Sequence, residues 1–380
     1  MSEWRIYARD AQLRRQGEVD DFVDLEAVRR WCDIGTWTLR VDRRSPLAGI
    51  LRQSGAGIII TRDDQMWMSG PWTNVHHTVQ ASKETMILSG VDDNVWLKRR
   101  LASPSPTESF PPYTVQAFDV RTGVASTILR QYVNVNLGAG AVGVRRKAEV
   151  TLGTDPLVGT SITGRARWQV LLAFLQELAL SAGIGFTFVQ VGATLEFRTS
   201  APTDKTGSVR FSRDLGNLAE FEYDETAPDA NYFFVGGTGT GTARVFFEKS
   251  DAASVAEWGR FEGELVDRTD TSSTTEMAQS ADKSIAEQAA KTILSATLLD
   301  TPQIAYGSDY DLGTKVTIEL DNPGSTDVIQ DIVRRVTLKA DKDGFVITPA
   351  VGNEGSQDTG LKIYRTVRQL RKRIVDLERQ

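Results

Sequence analysis

The chain has two histidines, His76 and His77, and one thiol, Cys32. Imidazole and thiolate are the commonest general bases, nucleophiles and soft metal ligands, so these three residues set a ceiling on such chemistry. Neighbouring residues of a strand point to opposite faces, so His76 and His77 cannot share one metal ion or one substrate. No cysteine or carboxylate cluster at ligand spacing accompanies them, and they read as ordinary surface or barrel histidines. Cys32 reads as a buried, inert thiol, because no basic helix terminus lies near it in sequence to lower its pKa. One cysteine also excludes an intrachain disulfide framework and fits assembly in a reducing cytosol.

The glycine-rich and acidic stretches add no reactive group. Gly236 to Gly241 (GGTGTG) follows a strand pattern, as a phosphate-binding loop does, but no lysine–serine or lysine–threonine pair ends it. Ala243 to Glu248 then reads as a strand, where a phosphate cradle needs a helix N-terminus. A hairpin tip is expected. Asp309 and Asp311 flank Tyr310 ahead of Gly313, as a calcium loop begins, yet the glutamate that closes such a loop is missing at its offset. A turn entering a strand is expected there. The pairs Asp20–Asp21 and Asp92–Asp93 have the residue type of glycosidase carboxylates, a role decided by separation in space. Neither Gly-x-Ser-x-Gly nor His-Glu-x-x-His occurs. No catalytic centre, cofactor site or metal site is expected.

The sharpest pattern is at the C-terminus, LKIYRTVRQLRKRIVDLERQ. Ile363, Val367, Leu370, Ile374 and Leu377 are spaced 4, 3, 4 and 3 residues apart, an a/d seam with Arg365, Arg368, Arg371 and Lys372 on the remaining faces. With Val367 and Ile374 at a, Arg373 falls at g and Glu378 at the following e, opposite signs that suit a parallel coil. These seven residues are the expected interface of a parallel coiled coil. The alternative is an amphipathic helix lying on its own chain, since fewer than three heptads is short for an isolated coil.

What would position these residues is a chain of ordinary composition. Its 380 residues are 40% hydrophobic and 25% charged, enough for two or three domains with full cores. A net charge of −6 and a pI near 5.3 speak against a grip on nucleic acid, which needs a basic face. The opening MSEWRIYARDAQLRR carries charges where a signal peptide needs an apolar core. The most apolar region, Val170 to Leu180, is interrupted by Gln176 and Glu177 and is too short for a bilayer, so no membrane anchor is expected.

Residues 1–105 read as all-β with short helical insertions. Trp4, Ile6 and Ala8 alternate inward, as do Trp37, Leu39 and Val41. Pro46 opens a helical turn across Leu47 to Arg52, and Ile58–Thr61 and Gln65–Ser69 flank Asp63–Asp64 as hairpin arms. Asp92–Asp93 would cap a short helix carrying Trp96, Leu97 and Leu101. The breakers from Ala102 to Pro112 mark a linker. In residues 106–225 helices are expected over Thr122 to Leu137 and over Arg165 to Ala182. The second carries a stripe of Trp168, Leu171, Leu172, Leu175, Leu178 and Ala179, and Gly183 ends it. A hairpin follows, Phe186–Val191 and Leu195–Arg198 around Gly192–Ala193. In residues 226–355, Ser273 to Glu276 is a capping box opening a helix to about Ala296. Ile332–Leu338 and Phe345–Val351 form a hairpin around Asp341 to Gly344. A polar break, Gly352 to Gly360, leads into 356–380, the linker and coil. The fold class is therefore β-rich α+β: two β-rich blocks around an α+β insertion, with a C-terminal coiled-coil helix.

Two stretches carry a resemblance. Gly35 to Trp72 is a tryptophan strand followed by GAGIIITRD and SGP; Leu298 to Pro302 (LLDTP) is followed by Tyr306 to Gly313 (YGSDYDLG) and Val316 to Leu320 (VTIEL). In this order and separation they resemble a family of siphophage tail hub proteins, including the N-terminal regions of tail-associated proteins. That family is similar to the baseplate hub of contractile phages. The chain departs from its pattern at Asp64, where glycine is frequent, and residues from about 105 to 225 carry little that matches. The resemblance implies two barrel-like domains per chain and a homotrimeric ring whose six barrels match the sixfold tail tube. It implies a non-enzymatic tail-tip subunit, assembled in the bacterial host cytoplasm, that adapts symmetry and closes or opens the tube in genome delivery. The implied partners are the distal tail protein ring, the C-terminus of the tape measure protein, and downstream fibre or spike proteins, with DNA only in transit. Two alternatives stand beside it. A tail-associated peptidoglycan hydrolase would have to hide in 106–225 without a recognisable nucleophile or metal set, and a receptor-binding tip protein would carry a lectin-like sandwich beyond the coil.

Overall fold

The computed structural model describes residues 3–80, 83–108, 115–298, 301, 303–322 and 325–352. The first block contains β1 (Trp4–Arg9), β2 (Arg15–Glu18), β3 (Phe22–Arg30), β4 (Thr36–Asp42), α1 (Ala48–Leu51), β5 (Gly57–Arg62), β6 (Gln65–Gln80), β7 (Lys83–Val91) and α2 (Val95–Lys98). Trp37, Leu39 and Val41 alternate into the core from β4, as their period requires. Asp63 and Asp64 both take positive φ, 50° and 59°, the backbone of a two-residue turn whose twist matches β5 and β6. Aspartate is among the residues that tolerate this backbone, and Asp63 Oδ1 is held from across the sheet, accepting from Glu3 N at 2.7 Å. The expected cap of α2 is not made. Asn94 occupies the N-cap without capping, because its amide donates to the Asp33 carbonyl and accepts from Phe188 N, each at 2.8 Å, while Asp93 turns inward to a buried arginine. The breaker-rich run is packed through Pro106, with Ser103 N donating to Asn136 Oδ1 at 2.9 Å.

The middle of the chain adds β8 (Asp119–Val124), α3 (Ala125–Asn136), β9 (Val150–Leu152), β10 (Ser161–Ala166), α4 (Leu171–Ala182), β11 (Gly185–Val191) and β12 (Thr194–Ser200). Both helices start later than their periodicity suggests. β8 and β10 pair antiparallel, Ala166 opposite Asp119 and Ser161 opposite Val124, and this ladder takes Thr122 and Arg165 into strands. A distant partner overrides local helical pattern. Trp168 is left between strand and helix at φ 61°. Gly183, at φ 65°, ends α4 as expected. Gly192 and Ala193 turn β11 into β12, and β9 joins β12 in parallel.

After β13 (Thr203–Asp204), β14 (Arg210–Phe211) and β15 (Leu218–Thr226) comes a small unit: β16 (Tyr232–Gly236), β17 (Phe246–Ser250), α5 (Ala252–Trp258), β18 (Val266–Asp267) and α6 (Thr274–Gln288). The Ser273 side chain accepts from Glu276 N, one half of the expected capping box; the other half is not made, because Ser273 N donates to Thr271 Oγ1 and the Glu276 carboxylate turns to Arg165. α6 ends at Gln288, short of Ala296, because β19 (Lys291–Leu298) pairs with β15. The chain closes with β20 (Thr314–Asn322), β21 (Ser325–Asp341) and β22 (Gly344–Gly352).

β21 works in two halves. Residues 325–332 pair with β20; from Val333 onward it pairs with β22 on one side and with β3 on the other, Arg335 opposite Arg30 and Asp341 opposite Asp24. The first and last blocks thus share one sheet, ordered β15-β19-β22-β21-β3-β4-β7-β6-β5-β1-β2, with β20, β13 and β14 branching from β21. This corrects the expectation of barrels: among the described residues no sheet closes on itself. β3 and β21 satisfy their edges with each other instead of completing two separate walls.

Three cores follow. The largest lies under the shared sheet and mixes Ile6, Leu25, Trp37 and Leu39 with Phe211, Ile318, Val336 and Leu338. The second packs α3 and α4 on β11 and β12 through Leu129, Tyr132, Leu175 and Phe197. The third is small: Val235, Met277 and Ala281, between α6 and its three-stranded sheet.

Candidate functional site

The YGSDYDLG stretch lies where the first and last blocks meet. Tyr306 is fully buried, and its hydroxyl donates to Asp311 Oδ1 at 2.7 Å while accepting from Trp67 Nε1 at 2.8 Å. Arg29 of β3 donates to Tyr306 Oη at 3.3 Å and to Asp311 Oδ1 at 3.2 Å. Arg62 of β5 binds the Tyr306 carbonyl. Burial pushes the Tyr306 phenol above its ordinary value, so it stays a neutral donor. Asp309 Oδ2 accepts from Ala305 N at 2.8 Å. Both aspartates are therefore spent on their own turn and on β3, as the turn expectation requires, and the motif is a clamp between blocks. Beside it, Trp31 is wedged between two glycines. A Cβ on Gly313 or on Gly185 would fall 2.0 Å from its ring, so this three-way joint tolerates no side chain at either position.

A second joint ties the first block to the α/β unit. Arg9 grips Asp93 with two parallel hydrogen bonds of 2.8 Å, and both side chains are 1% exposed. Ser69 Oγ donates to Asp93 at 2.7 Å; Arg9 donates to Gln190 Oε1 of β11 at 2.7 Å, and Gln190 Nε2 donates to the Leu13 carbonyl at 2.6 Å. Such a bidentate, dry arrangement fixes geometry as well as charge. Next to it, burial pushes the Asp92 carboxyl well above its ordinary value, against backbone hydrogen bonds from Gly35 and Asn94. Sequence reading missed this pair, since its members lie 84 residues apart and each looks like an ordinary surface charge.

The outer face of β22, β21, β3 and β4 is polar. Glu26, Val28, Arg30, Thr36, Arg335, Thr337, Lys339 and Thr348 line a shallow open depression there. Arg40 pairs with Asp24 at 3.1 Å and Lys339 with Glu26 at 3.7 Å across the same face.

The remaining candidates have plain structural roles. His76 and His77 are exposed on β6, and His76 Nε2 shares a hydrogen bond with Thr78 Oγ1 at 3.3 Å. Burial pushes the Cys32 thiol up to about 12, so it is inert at neutral pH. Gly237 to Gly241 lie in the loop between β16 and β17, where Gly237 N donates to the Val245 carbonyl at 2.8 Å; a 3-10 turn over Gly241–Ala243 follows, so the strand expected from Ala243 begins only at Phe246. Asp21 accepts from Ser45 Oγ at 3.0 Å. Among the described residues no group of three or more histidine, cysteine or carboxylate side chains is placed to hold a metal ion, and no helix is long and apolar enough to cross a membrane. The expected coil residues Ile363, Val367, Leu370, Arg373, Ile374, Leu377 and Glu378 lie outside the described residues.

The sequence model of the Siphovirus ReqiPepy6 Gp37-like proteins matches residues 3–353. The chain belongs to that family. No curated protein sequence matches this Gp37-like chain. Its fold recurs in solved tail proteins of low identity. The 43 kDa tail protein of prophage MuSo2 from Shewanella oneidensis superposes with a TM-score of 0.59 at 12% identity, covering 92% of this chain and 98% of that one. Prophage tail protein gp18 from Listeria monocytogenes EGD-e gives 0.58 at 10% identity, covering 97% and 99%. A tail protein from Neisseria meningitidis MC58 gives 0.54 at 14% identity, covering 93% and 97%. The Gp37-like chain therefore has a phage tail protein fold along nearly its whole described length.

Proposed function

We propose that this chain is a structural component of the virion tail, three copies of which form the hub ring of the tail tip. The observation that carries this reading is a family match and a tail-protein fold that both run almost end to end. The β3–β21 pairing supports it from within. It sets the two β-rich blocks side by side, so three chains would supply six blocks to a sixfold tube while the body stays threefold. Residues 1–105 and 226–355 are then the two hub domains, 106–225 the insertion, and 356–380 the axial linker and helix.

The polar outer face of the shared sheet suits a water-filled lumen, since hydroxyls and paired charges dominate it. The chain as a whole carries −6, whereas this face itself sets Arg30, Arg40, Arg335 and Lys339 against Asp24 and Glu26. The ring would meet the distal tail protein and the C-terminus of the tape measure protein on one side, and a fibre or spike on the other. Ile363, Val367, Leu370, Ile374 and Leu377, with Arg373 and Glu378 beside them, would wind into a parallel three-stranded coil on the axis. The seam alone, β-branched at a with mostly leucine at d, leans to a dimer; the ring imposes the trimer by holding three helices at high effective concentration.

The role is mechanical: adapting symmetry, closing the tube and opening it for genome delivery, with no chemistry on a substrate. Light scattering on the purified chain tests the assembly, and a particle of three times 41.9 kDa is expected. A monomer at micromolar concentration would contradict it. Release of muropeptides from host cell walls by the purified chain would overturn the non-enzymatic reading.

A further inference from the structure

One surface is out of keeping with an acidic chain. Lys98, Arg99 and Arg100 at the end of α2 meet Arg145, Arg146 and Lys147 of the loop before β9, around Trp96. The Arg99 guanidinium and the Lys147 ammonium lie 4.8 Å and 4.2 Å from the centre of the Trp96 ring. Lys147 also meets Glu149 at 2.9 Å, whereas Arg100 and Arg146 donate to carbonyl oxygens. Burial first, and the neighbouring guanidinium second, push Arg100 and Arg145 below the ordinary arginine value. Cations thus cluster at this surface, which suits an anionic partner.

Apolar side chains stand among these cations. Val144 is 90% exposed and Leu101 44%. Trp168, 37% exposed, is held beside Leu101 by the Trp168 N to Ala102 carbonyl bond and the Leu101–Val170 bridge. Its φ of 61° is uncommon for a bulky residue and persists only where the surroundings over-determine it. A surface both cationic and apolar fits a partner that presents carboxylates and apolar groups together.

The chain carries such a segment itself. From the end of α5 to β18, Glu257, Glu262 and Glu264 are exposed together with Trp258, Phe261 and Leu265; Arg260 lies among them and pairs with Glu262 at 2.7 Å, which leaves the segment two charges negative. We propose that the basic surface around Trp96 in one copy seats the acidic, aromatic segment 257–265 of the next copy. Two different patches meeting make a head-to-tail contact, which closes into a ring when the rotation fits. The proposal rests on the hub-ring reading and adds which surfaces meet.

Charge exchange in the full chain tests it. K98E/R99E/R146E and, separately, E257K/E262K/E264K are expected to raise the dissociation constant of the assembly about 100-fold, because like charges then oppose across the contact. Circular dichroism should show both variants folded. Combining the two sets restores the charge complement and should return the constant to within about 10-fold of the starting protein. An assembly indifferent to either reversal, or a combination that fails to recover, overturns the proposal and leaves the ring standing. Binding of a single-stranded DNA oligonucleotide or of anionic phosphatidylglycerol vesicles, lost in K98E/R99E/R146E while the mass stays unchanged, also overturns it. A starting chain that stays monomeric overturns ring and contact together.

Discussion

Two of the joints that hold the α/β unit are made of opposite materials. Toward the first block it is tied by Arg9, Asp93 and Gln190, where both charges are 1% exposed. Toward the small unit around α6 it is tied by Arg165 to Glu276 at 2.9 Å and Lys283 to Glu177 at 3.1 Å, with side-chain exposures of 21%, 10%, 35% and 44%. Arg268 joins the second cluster through Asp270 at 3.0 Å and Glu276 at 3.6 Å. A dry pair is unforgiving, because losing one partner strands a charge; the wet Lys283–Glu177 pair is replaceable by water, and Arg165–Glu276, with its carboxylate buried, lies between the two. The difference assigns rigidity to the shared sheet with its α/β neighbour, and adjustability to the α6 unit, whose own core is small.

The comparison breaks first at the dry joint. Arg9→Ala should lower stability by about 3–5 kcal/mol in denaturant titration. Arg9→Met with Asp93→Leu should recover most of that. A single-variant loss below about 1 kcal/mol would mean water reaches the pair. Next comes the clamp. Tyr306→Phe leaves Trp67 Nε1, Arg29 and Asp311 each short of a partner and should cost about 1–3 kcal/mol by the same titration. At the wet joint, Lys283→Ala should cost under about 1 kcal/mol, and the difference should vanish in high salt. A loss as large as that of Arg9→Ala would erase the contrast.

The finest test is one of sign. Burial pushes Asp270 up, but the hydrogen bonds and charge of Arg268, with Arg165, outweigh it and hold the carboxyl below its ordinary value. Its stabilisation is present above the unfolded-state value and lost as pH falls through the folded one. Asp92 is raised, so its contribution is present at low pH and lost as pH rises through its folded value. Acidification should therefore loosen the α6 unit while favouring the turn that Asp92 makes with Gly35 and Asn94. Hydrogen exchange at neutral and acid pH reads both, and parallel changes would contradict the assignment.

What can be read from the sequence here is local. The Asp63–Asp64, Gly192–Ala193 and Lys342–Asp343 turns, the β4 alternation, the Ser273 cap and the Gly183 stop all follow from residues a few positions apart. What depends on a distant partner does not show. The β8–β10 ladder shortened two expected helices, β15 took residues 291–298 from a third, and β3 and β21 joined blocks expected to be separate. The same holds for the site residues. Asp309 and Asp311 were legible as a turn, but nothing around Asp93 announces Arg9.

An image of the intact tail tip at side-chain resolution tests the central claim most directly. The account predicts three copies of this chain around the tail axis, with the face carrying Glu26, Arg335 and Lys339 toward the lumen and 361–380 on the axis. Any other copy number, or a chain lying outside the tube wall, would contradict it.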